Sequence, residues 1–395
     1  MNPPSRPAAW MDCHYLDDSA VLFCGADRSL YALNPTGAVI WTLLEEGHDE
    51  TAAALELASI AGIEASRAAR FVADALAQWR QRGFLADCAP PSPPRVVAPP
   101  REQLPRELPA FVARAVRSYR LLATSFTVRY QRAEDAAFVD PVLAHLVADA
   151  QQSASHIDVA HSASGLAVYQ DGVACDFCAA QEELAPVVKS LVWLTAVNRA
   201  DHLLNIHAGV VGDERGCVLL PAAAGSGKST LCALMMARGH RVLSDEAALL
   251  QRGTLDVLPV PLALAIKDTG VAAVAKDLPE VRHLAIHQRH DGKRVAYLPP
   301  RNPIADSALP VHSIVFPKYT PGMATRLAPI PRALGLARLL DDCVAIPTPL
   351  SANDIGALVG WMRNIACFEM PFGQGHEAAA NLVAMLAEAS DRAQR

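Results

Sequence analysis

The sequence predicts an α/β chain in two parts: a small α+β unit of about ninety residues, then a larger region built around a phosphate-binding loop. Three observations carry this. Gly225-Ser226-Gly227-Lys228-Ser229 lies between an apolar run, Cys217-Val218-Leu219-Leu220, and a helix-like stretch from Thr230 to Arg238. Strand, small-residue loop and helix is the context such a loop requires. Eight prolines fall between Pro90 and Pro109, a composition that favours polyproline II and interrupts helix and sheet. Before that break the apolar period is mostly helical; after it, strands alternate with helices. The expected domains are 1–88, a linker over 89–109, a leading part of the larger region over 110–200, and a phosphate-loop domain over 201–395.

Taken in order, Ala20-Val21-Leu22-Phe23-Cys24 and Ser29-Leu30-Tyr31-Ala32-Leu33 read as a hairpin with Gly25 to Arg28 as its turn. Asn34-Pro35-Thr36-Gly37 breaks the second strand. A helix follows with Val39, Ile40, Leu43 and Leu44 on one side, stopped by Gly47. A second helix is expected from Glu50 to Ala61, ended by Gly62. A third, Ala65 to Gln81, is expected to bury Ala68, Phe71, Val72, Leu76 and Trp79. Gly83-Phe84-Leu85 closes the unit. Beyond the linker, Leu166 to Tyr169 with Asp171-Gly172 reads as a hairpin, and Glu183 to Asn198 as a helix. Leu203 to Val211 reads as one strand. Cys217 to Leu220 feeds the loop, Gly239 caps the loop helix, and His240 to Leu243 is a further strand.

The loop groups expected to hold a nucleotide are Ala224, Gly225, Ser226, Gly227, Lys228, Ser229 and Thr230. Backbone N–H groups and the helix N-terminus offer positive potential to phosphate oxygens. Lys228 would reach the β/γ-phosphates, its side chain exposed in the empty site, and the Ser229 hydroxyl would ligate Mg²⁺. Ala222 stands where the full motif has glycine.

Asp245 and Glu246 end the strand after the loop helix. Carboxylates at strand ends face the ligand side of an open α/β sheet. There they can hold Mg²⁺ with Ser229 or accept a proton from an attacking hydroxyl. A helix N-cap at Ser244-Asp245-Glu246 would suit the same residues. His207, one hairpin before the loop, either faces the site or is a structural strand histidine.

Net charge is −6 and half the chain is apolar, which argues against nucleic acid as the main partner. No uninterrupted apolar run reaches the ~18 residues of a membrane span. The N-terminal residues lack an apolar signal core. Nine scattered cysteines read as reduced thiols in a cytoplasmic protein. Cys175-Asp176-Phe177-Cys178 is the single C-x-x-C. Without a second pair or a nearby His pair, both read as small strand residues and no zinc site is expected. His283, His287 and His290 read as a solvated loop.

From Leu204-Asn205-Ile206-His207-Ala208-Gly209, through the loop, to Arg238-Gly239-His240-Arg241-Val242-Leu243-Ser244-Asp245-Glu246 and Pro310 to Pro317, the chain resembles the HPr kinase/phosphorylase family and its HprK-related kinases. The resemblance covers roughly residues 110 to 385. It implies a P-loop (HPr-kinase-like) kinase core using ATP and Mg²⁺, with a protein serine or a small molecule as acceptor. It carries over Lys228 and Ser229 as phosphate and Mg²⁺ groups, Asp245 as the first acid of the catalytic pair, Glu246 in place of the second aspartate, and His207 as the histidine near the phosphates. Ala222 and Glu246 depart from the parent pattern, which bears on phosphorylase activity more than on kinase activity. Lys293 and Arg294 are candidates for added positive charge.

Leu33-Asn34-Pro35-Thr36-Gly37-Ala38-Val39-Ile40-Trp41, Gly47 and Arg82-Gly83-Phe84-Leu85 resemble the PqqD-like RiPP recognition element, a small winged-helix-like fold. That resemblance implies binding of a precursor-peptide leader as an added strand against the third helix, by residues 1–88. Together the two imply an ATP-dependent kinase acting on a serine hydroxyl of a ribosomal precursor peptide, as in lasso-peptide pathways. The expected partners include neither nucleic acid nor membrane, and a homo-oligomer is allowed. The rival readings are a kinase of a small molecule such as free serine, and a non-catalytic nucleotide-gated peptide chaperone.

Overall fold

The structure, a computed structural model, describes residues 5–27, 29–91, 108, 110–149, 153–301, 307–346 and 349–392. Most of the expected linker, and Arg28 of the first turn, lie outside them. The chain divides into two compact units, residues 1–98 with 328–368, and residues 99–327 with 369–395.

In the first unit the expected hairpin is β2 (Ser19–Cys24) with β3 (Ser29–Leu33), and β1 (Met11–Leu16) adds a third antiparallel strand on the other side of β2. Asn34 does more than break the strand. It caps α1 (Pro35–Glu45), its side chain accepting from Gly37 N at 2.8 Å, with proline at the first position, where an N–H would have no helical partner. α2 (Glu50–Ala61) is capped by Asp49 and ends on left-handed Gly62, and α3 (Ala65–Gln81) follows. Ala20, Leu22 and Cys24 pack with Trp41, Leu57, Val72 and Leu76. Phe71, expected inside, is 36 % exposed. The buried stripe of α3 runs through Ala68, Val72, Leu76 and Trp79, and Phe71 flanks it.

β2 is buried at all six positions. A strand covered on one face alternates, so β2 is covered on both. Ala20, Leu22 and Cys24 meet the core with α1–α3. Val21 and Phe23 point the other way. The second cover comes from far along the chain: helix Arg332–Asp341 packs on β2 and β3, and helix Ala352–Met362 packs on β1. Arg332 Nη1 also lies 2.8 Å from Asp17 Oδ2. Residues 328–368, placed with the phosphate-loop domain on sequence, therefore fold with the N-terminal unit. Nothing in their local pattern marks the change, because their apolar faces are satisfied by residues about 300 positions earlier.

An experimental consequence follows. A fragment of residues 1–88 leaves Val21 and Phe23 facing water, at about 1.5–3 kcal/mol each. We expect it to lack a cooperative denaturant transition, and a protein joining 5–91 to 328–368 through a flexible linker to regain one. A sharp transition in the short fragment, followed by circular dichroism, would refute this.

The second unit begins with β4 (Ala115–Leu121), β5 (Thr124–Tyr130), α4 (Ala133–Leu143), β6 (Ser155–His161), β7 (Leu166–Gln170) and β8 (Val173–Cys178). The strands form one sheet in chain order. Only β5 and β6 are parallel, because α4 crosses between them. Asp171 and Gly172, with φ of 51° and 83°, make the two-residue β7–β8 turn. α5 (Leu184–Arg199) packs on this sheet.

β9 (Leu204–Ile206), β10 (Ala208–Gly212), β11 (Cys217–Pro221), α6 (Lys228–Ala237), β12 (Arg241–Ser244) and β13 (Ala248–Leu250) come next. The single strand expected over Leu203 to Val211 is thus two. β9 pairs with β13, whereas β10 pairs with β11 and β12, so the chain changes sheet at His207. β14 (Val257–Leu258) extends the β9–β13 pair. β15 (Leu264–Lys267), α7 (Asp268–Val274), β16 (Ile286–Gln288) and β17 (Arg294–Leu298) add a three-stranded sheet of order β15-β17-β16. β18 (Val311–Tyr319), the expected late strand, lies parallel to β11. His287, read as part of a solvated loop, is 3 % exposed in β16, its ring 5.4 Å from that of Tyr297. No helix among the described residues is long and apolar enough to cross a membrane.

β10 is antiparallel to both β11 and β12, so those two strands run the same way. The loop after β11 and the acids after β12 consequently leave the same edge of the sheet, the ligand-binding edge of an α/β sheet.

Candidate functional site

Two sites are described, one in each unit. The first is a groove of about 330 Å³ between the end of β3 and α3. Ala32 and Leu33 line it from the strand, Gly37 and Ile40 from α1, and Phe71 and Trp79 from α3. β3 is the outer strand of its sheet. Its outward backbone groups stand beside an apolar helix face, which is the geometry of strand addition. Gly37 keeps the groove floor low: a Cβ there would come 3.3 Å from Asn34 Oδ1 and 3.5 Å from Leu33 Cβ.

The second site is the loop between β11 and α6. Gly225 and Gly227 take φ of 95° and 92°, the left-handed region that side chains avoid. Gly227 is constrained twice, since a Cβ there would come 2.8 Å from Phe372 Cζ. Lys228 opens α6. The N–H groups of Lys228, Ser229 and Thr230, in its first turn, have no intrahelical acceptor and point out of the helix end. The Lys228 side chain is not exposed, contrary to expectation: it is 5 % exposed and its Nζ donates to the carbonyls of Ala222 and Ala223. An ammonium in this loop must find acceptors or stay hydrated, and the loop carbonyls supply them. Ala224 and Gly225 are exposed, while Ser226, Ser229 and Thr230 are half-buried.

Asp245 and Glu246 do not cap a helix. They lie between β12 and β13, in a turn held by Ser244, whose Oγ accepts from Glu246 N at 3.2 Å and Ala247 N at 3.0 Å. Asp245 is 2 % exposed. Its Oδ2 accepts from Ala265 N at 3.0 Å, and its Oδ1 is buried with no hydrogen-bond partner among the described residues. Burial and the neighbouring Glu246 push its pKa up to about 6, against the opposing pull of Lys189, the Ala265 amide and the Ser229 hydroxyl.

Glu246 behaves oppositely. Lys189 Nζ donates to its Oε2 at 2.7 Å, and Arg289 Nη1 lies 3.9 Å from its Oε1. Burial alone would raise this carboxyl; Lys189, Arg289 and His207 outweigh it, and its pKa sits below the ordinary glutamate value. His207 Nδ1 lies 3.1 Å from the Glu246 carbonyl oxygen, so the sheet-switching residue touches the acidic pair. The structure thus brings Asp245 together with Ser229, and Glu246 with His207. Lys293 and Arg294 are drawn off to Asp291 and Asp268.

Lys189 and Arg289 are absent from the sequence reading. Lys189 is 3 % exposed on α5, with its ammonium 5.2 Å from the Tyr297 ring centroid. Burial pushes its pKa down, but Glu246 and Asp245 more than restore it. A signal was present: Lys189, Val192 and Ala196 share one helix face at i, i+3 and i+7, which puts the lysine on the buried side.

Among known families, that described as Coenzyme PQQ synthesis protein D (PqqD) matches residues 20–85. Residues 20–85 carry a PqqD domain. Among solved structures, one described as "TbiB1 in Complex with the TbiA(beta) Leader Peptide" is 21 % identical, covers 21 % of this chain and 98 % of its own, and has a TM-score of 0.20. No curated protein matches the chain. Every residue lining the groove lies within the PqqD domain, whereas the two helices that cover its sheet from behind lie outside the matched span.

Proposed function

We propose that this chain is a cytoplasmic ATP-dependent kinase that phosphorylates a serine hydroxyl of a ribosomal precursor peptide, held through its leader by the PqqD domain. The observation that supports it best is the buried, unpartnered Asp245 Oδ1 beside Ser229, at the sheet edge where Lys228 opens α6. A buried carboxylate oxygen without a donor suits a hard cation, and Asp245 with the Ser229 hydroxyl fits Mg²⁺. Bound there, Mg²⁺ would neutralise charge on the transferred phosphoryl group.

The protein's own groups supply the rest. The α6 N-terminal amides bind phosphate oxygens, and Lys228 exchanges the Ala222 and Ala223 carbonyls for them. Asp245 takes the proton of the attacking hydroxyl. Lys189 and Arg289 hold Glu246 ionised and fixed beside Asp245. The groove between β3 and α3 binds the leader as an added strand, raising the effective concentration of the acceptor.

Incubation with ATP, Mg²⁺ and the cognate precursor, followed by mass spectrometry, is expected to show the gain of a phosphoryl group. Phosphoserine formed from free serine, or binding without any mass change, would instead favour the small-molecule kinase or the chaperone. Truncating near residue 101 is a poor test of the groove, because it also strips the partner of residues 328–368. Phe71→Ala is cleaner. At 36 % exposure it carries little of the core, and we expect leader affinity to fall about tenfold, the loss for a mid-interface aromatic, with no change in thermal midpoint. Unchanged affinity by fluorescence anisotropy would move the leader site elsewhere.

A further inference from the structure

We propose that Cys178, Glu183 and His290 form a binding site for a zinc-type divalent metal ion. One ligand atom from each lies within 4.8 Å of the others. They come from three separate elements: Cys178 ends β8, Glu183 precedes α5, and His290 sits in the turn between β16 and β17. A thiol, a carboxylate and an imidazole form the borderline-soft set that selects zinc over the oxygen-seeking magnesium. Two of the ligands are already aimed. The Ala179 N–H donates to Glu183 Oε2 at 2.8 Å, and Asp176 Oδ1 lies 3.6 Å from His290 Nδ1, the outer-shell carboxylate that metal-binding histidines commonly keep. Glu183 and His290 also line a cavity of about 770 Å³, so water can reach a fourth position.

Sequence spacing hid this site. The C-x-x-C suggests Cys175 as the partner of Cys178, but alternate strand residues and a β-bulge near Tyr169 separate them, and Cys175 is not in the cluster. The partners arrive instead from a short helix and a distant hairpin. The position gives the ion a consequence. Arg289, next to His290, is the residue that faces Glu246, so a metal on His290 would pin the turn that supplies this arginine.

The test uses the untagged full-length protein, stripped with chelator, exchanged into Zn²⁺ and dialysed, with bound metal measured by elemental analysis. About one zinc per chain is expected, and Co²⁺ in its place should give a thiolate charge-transfer band. Cys178→Ser should abolish that band and His290→Ala should lower retained zinc, the latter at an exposed position where folding is not at stake. Asp176→Ala should weaken affinity roughly 10–100-fold, and Cys175→Ser should leave it unchanged. No stoichiometric zinc in the wild-type protein, or equal retention by His290→Ala, would overturn the proposal.

Discussion

Replacement of Asp245 by asparagine is expected to slow phosphoryl transfer by roughly 10²–10⁴ while ATP affinity stays within about tenfold, the signature of losing a general base. The amide keeps the shape and the acceptor for Ala265 N, so the 3.0 Å contact survives. What it lacks is a lone pair basic enough to take the hydroxyl proton. Equilibrium binding of a fluorescent ATP analogue, measured beside single-turnover transfer to the precursor, separates the two quantities. Transfer near the wild-type rate would remove Asp245 from the chemistry; loss of nucleotide binding with no further kinetic defect would make it a ligand-holding residue alone.

Lys189→Met is expected to cost about 3 kcal/mol of stability, the lower part of the range for removing one member of a buried ion pair, because Glu246 is 22 % exposed and keeps some solvent. Methionine matches the lysine stem in length, so little packing is lost. The cost comes from the carboxylate left behind, with Asp245 beside it. Adding Glu246→Gln should recover most of the stability without recovering turnover, since the charge that Lys189 neutralised is then gone but its support of Asp245 is too. Urea denaturation of the single and double variants reads this directly. A double variant no more stable than Lys189→Met would mean that Lys189 acts through packing.

Local structure was legible in the chain wherever a side chain carries its own instruction. The helix Glu50 to Ala61 is bounded by Asp49 and Gly62, and both ends fell where capping chemistry puts them. The hairpin at Asp171-Gly172 was legible for the same reason. His207 was harder. The strand it interrupts is apolar on both sides, and only the pairing of Ile206 with Ala248, against that of Ala208 with Pro221, divides it. Helix periodicity marks Lys189 as buried, but its pairing and that of Arg289 were not legible, because their partner, Glu246, lies 57 and 43 positions away and no periodicity encodes such a distance. Residues 328–368 present the same difficulty at larger scale.

That last feature bears on the order of events at the ribosome. The leading strands and helices leave the exit tunnel first, yet the helices that cover the back of their sheet are about 240 residues behind. At roughly 5–20 residues per second, Val21 and Phe23, about 310 residues before the first covering helix, wait on the order of fifteen to sixty seconds for their cover. During that interval the nascent chain carries an open apolar sheet face, a target for chaperones or for a neighbouring nascent chain. The groove would then mature only after the loop between β11 and α6 has been synthesised, and translation speed between the two segments becomes a determinant of yield.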